Sequence, residues 1–310
     1  MEPLAPGMRR TGKVMRRMPG ASVSRATPAE IERNSGARTP EAIAWLLQGA
    51  KPRGVTSEDR TVEGVRVRIY RPAASPATDR PLILYFHGGG FVYGDVRGGD
   101  WICGTVAKEL DAIVVSVEYR LAPKHPFPAG VDDCYAVLAW AAANAVSLGA
   151  DETRIGVIGE SAGGNLAAVV ALMSRDRKGP AIRHQALLYP VTGAGDTESR
   201  RANADAFILT LADMQKFGEL YAGDETDWRV SPIVAKSLTG LPPAIIIVGG
   251  HDPLHDDGVL YADALRAAGV DVELIDYAAM PHGFMNFPRY AKDAKPAIAA
   301  VVASQRAALG

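Results

Sequence analysis

Only two cysteines, Cys103 and Cys134, occur among the 310 residues. They stand at no metal-ligand spacing, which excludes a disulfide framework and a cysteine-based zinc site. The reading is a reduced chain with no metal and no cofactor. Charge of one sign is missing as well: 34 Lys and Arg against 35 Asp and Glu leave a formal net charge of -1. That balance gives no electrostatic reason to expect nucleic acid or an anionic membrane as partner. No apolar run approaches the roughly 20 residues needed to span a bilayer. The first 20 residues carry Arg9, Arg10, Lys13, Arg16 and Arg17 with no hydrophobic segment behind them. They lack the core of a secretory signal and read as a frayed or locally packed terminus. The expected location is the cytoplasm. There is no internal repeat and no low-complexity tract.

What is present is core-forming material. A hydrophobic content of 47% over this length suits one large α/β domain with a small appended layer. Residues 40–48 have helical character, with Ile43, Leu46 and Leu47 on one face. Val65, Val67 and Ile69 alternate with polar residues as a half-buried strand does. Residues 82–86 form a continuous apolar run, the mark of a strand covered on both faces. Further short runs at 113–117, 155–158, 186–188, 244–248 and 272–275 alternate with helix-like segments at 101–110, 131–147, 162–175, 258–268 and 294–308. Such alternation predicts a largely parallel sheet with helices on both faces, and sites at the carboxyl ends of its strands. Residues 191–230 break the pattern: no strand is legible there, and Phe207, Leu211, Met214, Phe217 and Tyr221 fall at or near helical spacing. An insertion of that kind predicts a cap over the site.

The chemistry centres on Gly159-Glu160-Ser161-Ala162-Gly163, which follows one buried run and opens an Ala-rich helical stretch. This is the G-x-S-x-G turn in its strand–turn–helix setting. A nucleophilic Ser161 there would sit on a strained turn at positive φ, with small neighbours letting strand and helix close around it. At the end of the run 82–86 stands His87-Gly88-Gly89-Gly90-Phe91. Three consecutive glycines cost backbone entropy, so the loop is read as bringing N–H groups against an oxyanion. The expected donors are Gly88 and Gly89, joined by Ala162, with His87 and Gly90 in support.

Acyl transfer also needs a base and an acid, in the order Ser, Asp or Glu, His. Of six histidines, His87 belongs to the glycine loop, His125 precedes the serine, and His184 reads as a surface residue before a buried strand. His282, in Pro281-His282-Gly283-Phe284 after the last strand, is the best general base. Asp252 follows the run 244–248 and is the best orienting acid. Its rivals Asp256 and Asp257 read as caps of the helix starting near Gly258. Glu160 is given a structural or electrostatic role.

These residues together resemble a hormone-sensitive-lipase-like esterase of the α/β-hydrolase superfamily. The matching stretches are HGGGF from His87, YRLAP from Tyr119, GESAGGNLA around Ser161, SP at Ser231, DPL at Asp252 and HGF at His282, in the family's order. One departure stands at Lys124, where the pattern usually has Glu, and it touches a local salt bridge only. The resemblance implies an eight-stranded, mostly parallel sheet with a helical cap. The cap would be drawn from residues 1–50 and 191–230, and the core from 51–190 and 231–310. It also implies carboxylesterase action on short- to medium-chain acyl esters without metal or cofactor, and a homodimer through the edge strand near 272–275. Phe91, Trp101, Phe207, Met214 and Phe217 are the candidate pocket residues. Amidase, arylformamidase-like or lactone chemistry could run on the same triad. A non-catalytic receptor on this fold would be expected to have lost the serine or the base, and both are present.

Overall fold

A computed structural model describes residues 2–15, 22–37, 48–73 and 78–310. The helix expected at 40–48 lies outside the described residues except for its last position. Eight strands form one sheet in the order β1-β2-β4-β3-β5-β6-β7-β8. They are β1 (Val55–Val62), β2 (Val65–Pro72), β3 (Arg80–Phe86), β4 (Ile113–Glu118), β5 (Ala150–Glu160), β6 (Ile182–Leu188), β7 (Ala244–His251) and β8 (Val272–Pro281). β1 and β2 run antiparallel to their neighbours, and every pair from β4 to β8 is parallel.

β1 was not legible as a strand. It is an edge strand, exposed at most positions between Val55 and Val62, so burial imposes no apolar alternation on it. Its partner register is set by the turn between Val62 and Val65, where Glu63 and Gly64 both take positive φ (50° and 76°). That is the backbone twist a two-residue hairpin asks for.

β3 shows why the central strands read as unbroken apolar runs. Leu82, Leu84 and Phe86 enter one hydrophobic layer, with helices α4 (Ala129–Ala143) and α6 (Ala162–Arg177). Ile83 and Tyr85 enter the other, with α3 (Asp100–Leu110) and α10 (Ala294–Leu309). Successive side chains point to opposite faces, so both must be apolar when both faces are covered. The cysteines divide the same way, Cys134 in the first layer and Cys103 in the second. Both are free and buried, and burial pushes both thiols well up.

His184 corrects one expectation: it lies inside β6 and is only 2% exposed. Its Nε2 is 2.9 Å from the Ser304 hydroxyl of α10.

The insertion after β6 carries α7 (Glu198–Ala202) and α8 (Leu211–Tyr221). Thr210 and Asp213 close a capping box at the start of α8. Asp213 also accepts from the Ser22 hydroxyl at 2.6 Å and from the Ser24 N–H at 3.0 Å. One carboxylate therefore ends a helix and ties the N-terminal segment to the insertion. Val23, Ile31 and Tyr221 share a small hydrophobic cluster with Val92 and Ala122 of the core. The N-terminal helix α1 (Pro6–Met15) docks near the end of β8, where Ala5 N–H donates to Ala279 at 3.0 Å and Met8 is buried.

Candidate active site

Strand register brings the chemistry together. His251 pairs with Pro281 across β7 and β8, so the residues that follow them, Asp252 and His282, leave the sheet side by side. Phe86 pairs with Gly159, and Glu160 pairs with Leu188, which sets His87 and the glycine loop beside the turn at Ser161. All of this happens at the carboxyl edge of the sheet.

Ser161 takes φ 55° and ψ -118° between β5 and α6. A non-glycine residue held at positive φ is strained and persists only when its surroundings fix it. Here its N–H donates to Leu188 at 2.9 Å and its carbonyl accepts from Asn165 at 3.1 Å. Asn165, wholly buried, uses its amide to bind the Val191 and Val230 carbonyls at 3.0 and 2.7 Å. A Cβ on Gly163 would lie 2.0 Å from the Phe86 carbonyl oxygen, so only glycine allows α6 to approach the sheet this closely.

Nε2 of His282 stands 2.9 Å from Ser161 Oγ, and its Nδ1 stands 2.7 Å from Asp252 Oδ2. A carboxylate only accepts, so Nδ1–H is the donor and Nε2 is left free to take the serine proton. Asp252 is completely buried, and its other oxygen accepts from Leu254 N–H at 2.8 Å. The ring of Tyr189 meets His282 edge-on at 5.1 Å.

Glu160 is buried under the turn. It accepts from Tyr85, from Tyr189 at 2.9 Å and from the Asn286 amide at 2.5 Å. Burial pushes its carboxyl up, against the pull of those three hydrogen bonds. Tyr189 and Asn286 both flank His282 in the cavity wall, and neither was singled out from the sequence, because a lone Tyr or Asn in a loop carries no pattern.

His87 stacks on Tyr119 at 4.3 Å, and its Nδ1 lies 2.8 Å from the Gly88 carbonyl. Tyr119 donates to the His87 carbonyl at 2.8 Å. Lys124 is exposed, and the ion pair near it runs from Arg120 to Asp133 at 2.7 Å.

Asp256 and Asp257 do not cap their own helix, α9 (His255–Ala267). Asp256 accepts from Ser199 N–H at 2.9 Å. Asp257 accepts from the Thr192, Gly193 and Ala194 N–H groups at 3.0, 3.2 and 3.4 Å, and from Arg200 Nη2 at 2.9 Å. Together they hold the start of the insertion. α9 begins three residues earlier than its sequence suggests, which turns both carboxylates toward the insertion.

Two cavities meet at Ser161. One, of about 350 Å³, runs past His87, Gly88, Gly89, Tyr93, His282 and Phe287. The other, of about 480 Å³, runs past Phe91, Ala162, Val191, Met214, Tyr221 and Val230. Gly90, Leu209 and Phe217 border both. Trp101 and Phe207 line neither: Trp101 faces a groove between α3 and α10, and Phe207 packs by Leu4 and His251 near α1. Both are large apolar residues whose helical or insertion setting suggested the pocket, but they turn to other seams.

The family model of the alpha/beta hydrolase fold matches residues 83–286. Esterase LipI of Mycobacterium tuberculosis is 43% identical over 262 residues, spanning 80% of this chain and 82% of that protein. The chain belongs to the hormone-sensitive-lipase-like carboxylesterases of the α/β-hydrolase superfamily. A second relative of this esterase, carboxylesterase NlhH of the same organism, is 44% identical over 74% of this chain and 76% of its own. Among solved structures, an esterase from Pyrobaculum calidifontis superposes with a TM-score of 0.86 at 35% identity, covering 99% of this chain and all of that one.

Proposed function

We propose that this esterase hydrolyses short- to medium-chain acyl esters through an acyl-enzyme, with Ser161 as nucleophile, His282 as base and Asp252 as orienting acid. The observation that carries the reading is the unbroken line from Asp252 Oδ2 through His282 to Ser161 Oγ, at 2.7 and 2.9 Å. His282 accepts the serine proton as Oγ attacks the ester carbonyl, and Asp252 stabilises the imidazolium. The N–H groups of Gly88, Gly89 and Ala162 receive the oxyanion. In support, a Cβ on Gly88 would stand 3.4 Å from that of Ser161, and Ala162 opens α6 with a buried backbone. His282 then protonates the departing alcohol and activates the water that releases the acid.

The leaving oxygen must reach His282, which borders the smaller cavity. The alcohol therefore occupies that side and the acyl chain the larger one, against Phe91, Met214 and Phe217. Residues 1–50 and 191–230 act as the cap, joined through Asp213. No described helix is long and apolar enough to cross a membrane. β8 closes one side of the sheet, and its edge is the surface through which two copies would pair.

Hydrolysis of p-nitrophenyl esters from acetate to palmitate tests the reading, with Ser161→Ala alongside. Activity highest at short chains and reduced by about 10⁴-fold or more in the variant is expected. Near-normal turnover by Ser161→Ala, or a maximum at palmitate, would overturn it.

A further inference from the structure

Besides Ser161, the residues that border both cavities are Gly90, Leu209 and Phe217. Two of these touch. A Cβ on Gly90 would stand 2.3 Å from Cγ of Phe217 and 2.5 and 2.6 Å from its two Cδ atoms. The base of the aromatic ring therefore rests on the bare Cα of Gly90, in space that any side chain would fill. One partner comes from the glycine loop of the core and the other from α8 of the insertion.

The neighbours show what lies on each side. Met214, Phe217 and Tyr221 fall three and four residues apart, on one face of α8. Met214 and Tyr221 border only the larger cavity, where Tyr221 stacks on Phe91 at 3.9 Å. Phe217, between them on the helix, meets Tyr93 edge-on at 6.0 Å, and Tyr93 borders only the smaller cavity. The loop divides in the same way, with Phe91 on one side, Tyr93 on the other and Gly90 facing both. The bonds from Ser22 and Ser24 to Asp213, at 2.6 and 3.0 Å, hold α8 at this spacing from the loop.

Resting on the reading that acyl chain and alcohol take opposite cavities, we propose that Phe217, seated on Gly90, is the partition between them. It is the residue that makes selection of the acyl group independent of the alcohol. With the ring in place, a chain that outgrows its own cavity meets a wall. Without it, spaces of about 350 and 480 Å³ join beside Ser161, and one group can spread into room that the other leaves free.

The test uses the methyl and benzyl esters of butyric and octanoic acid. Acid release gives kcat/KM for each in wild type and Phe217→Ala. This constant reports acylation, the step in which both groups are bound. The quantity read is octanoate over butyrate, taken once with each alcohol, so that leaving-group basicity and active-enzyme concentration cancel. In wild type the two ratios should agree within about twofold, as contributions from independent sites do. In Phe217→Ala the methyl ratio should exceed the benzyl ratio by about 4-fold or more, what one methylene gains on leaving water for an apolar surface. Phe217→Leu opens less of the wall and should shift the ratios in the same direction, which keeps the test decisive if the alanine variant loses its fold. Ratios that still agree in the folded variants, or that already differ as much in wild type, would overturn the partition. Failure of wild type to turn over any of the four esters would overturn the esterase reading, and the partition with it.

Discussion

A methyl group added to Gly159 would stand 1.9 Å from the carbonyl oxygen of Gly163. The neighbour is backbone at the first turn of α6, which is itself pressed against β3 and cannot retreat. Gly159→Ala should therefore destabilise the fold by about 3 kcal/mol, at the upper end of overpacking costs. It should also displace Ser161 from His282. Thermal unfolding by circular dichroism, read beside esterase rate, checks this. A melting temperature within a degree of wild type would show that the turn has slack.

Asp252→Asn keeps the volume and the bond from Leu254 N–H, but offers His282 Nδ1 an amide whose orientation is no longer fixed as an acceptor. The tautomer that leaves Nε2 free loses its support. By precedent for triad acids, kcat should drop by about 10⁴-fold with little change in the unfolding midpoint. A loss below tenfold would show that the carboxylate only packs there.

His184 predicts how stability responds to acid. Burial pulls its pKa from 6.5 down to about 4. The unfolded chain thus binds a proton that the native imidazole resists between those values. Stability is fully present above about pH 6.5 and declines as pH falls toward 4, by about 3 kcal/mol in all for this group. His184→Gln removes the titration while leaving a polar group near Ser304. Urea midpoints at pH 7 and pH 4.5 should lie closer together in the variant than in wild type. An unchanged gap would place the acid sensitivity elsewhere.

The sheet and the triad were readable because each leaves a dense local mark. Both-faces burial makes β3 and β7 continuous apolar runs, and the turns at Ser161 and Asp252 follow such runs closely. His282 instead follows the part-exposed edge strand β8 and was readable from its Pro-His-Gly setting and its place in the chain order. β1 escaped because an exposed edge places no demand on composition. His184 was misjudged because it sits at the polar start of a strand whose apolar run begins only at Ala186, and nothing local reveals that α10 covers it. Trp101 and Phe207 were assigned to the pocket on size and setting, but which seam an aromatic enters depends on tertiary geometry. The roles of Asp256 and Asp257 turned on where α9 begins, a matter of three residues.

The segment 252–257 carries the catalytic acid at one end and the mount for the insertion along the rest. Asn203 binds the Asp252 carbonyl, Ser199 the Pro253 carbonyl, and Arg200 the Asp257 carboxylate. The two halves of the enzyme's task are thereby inherited together. A lineage that drifts in residues 191–230 to admit a new ester moves the seat of its own proton relay unless Ser199, Arg200 and Asn203 stay. Anyone swapping insertions between relatives should place the junctions after Asn203 rather than at the end of β6, so that selectivity changes hands while the relay stays put.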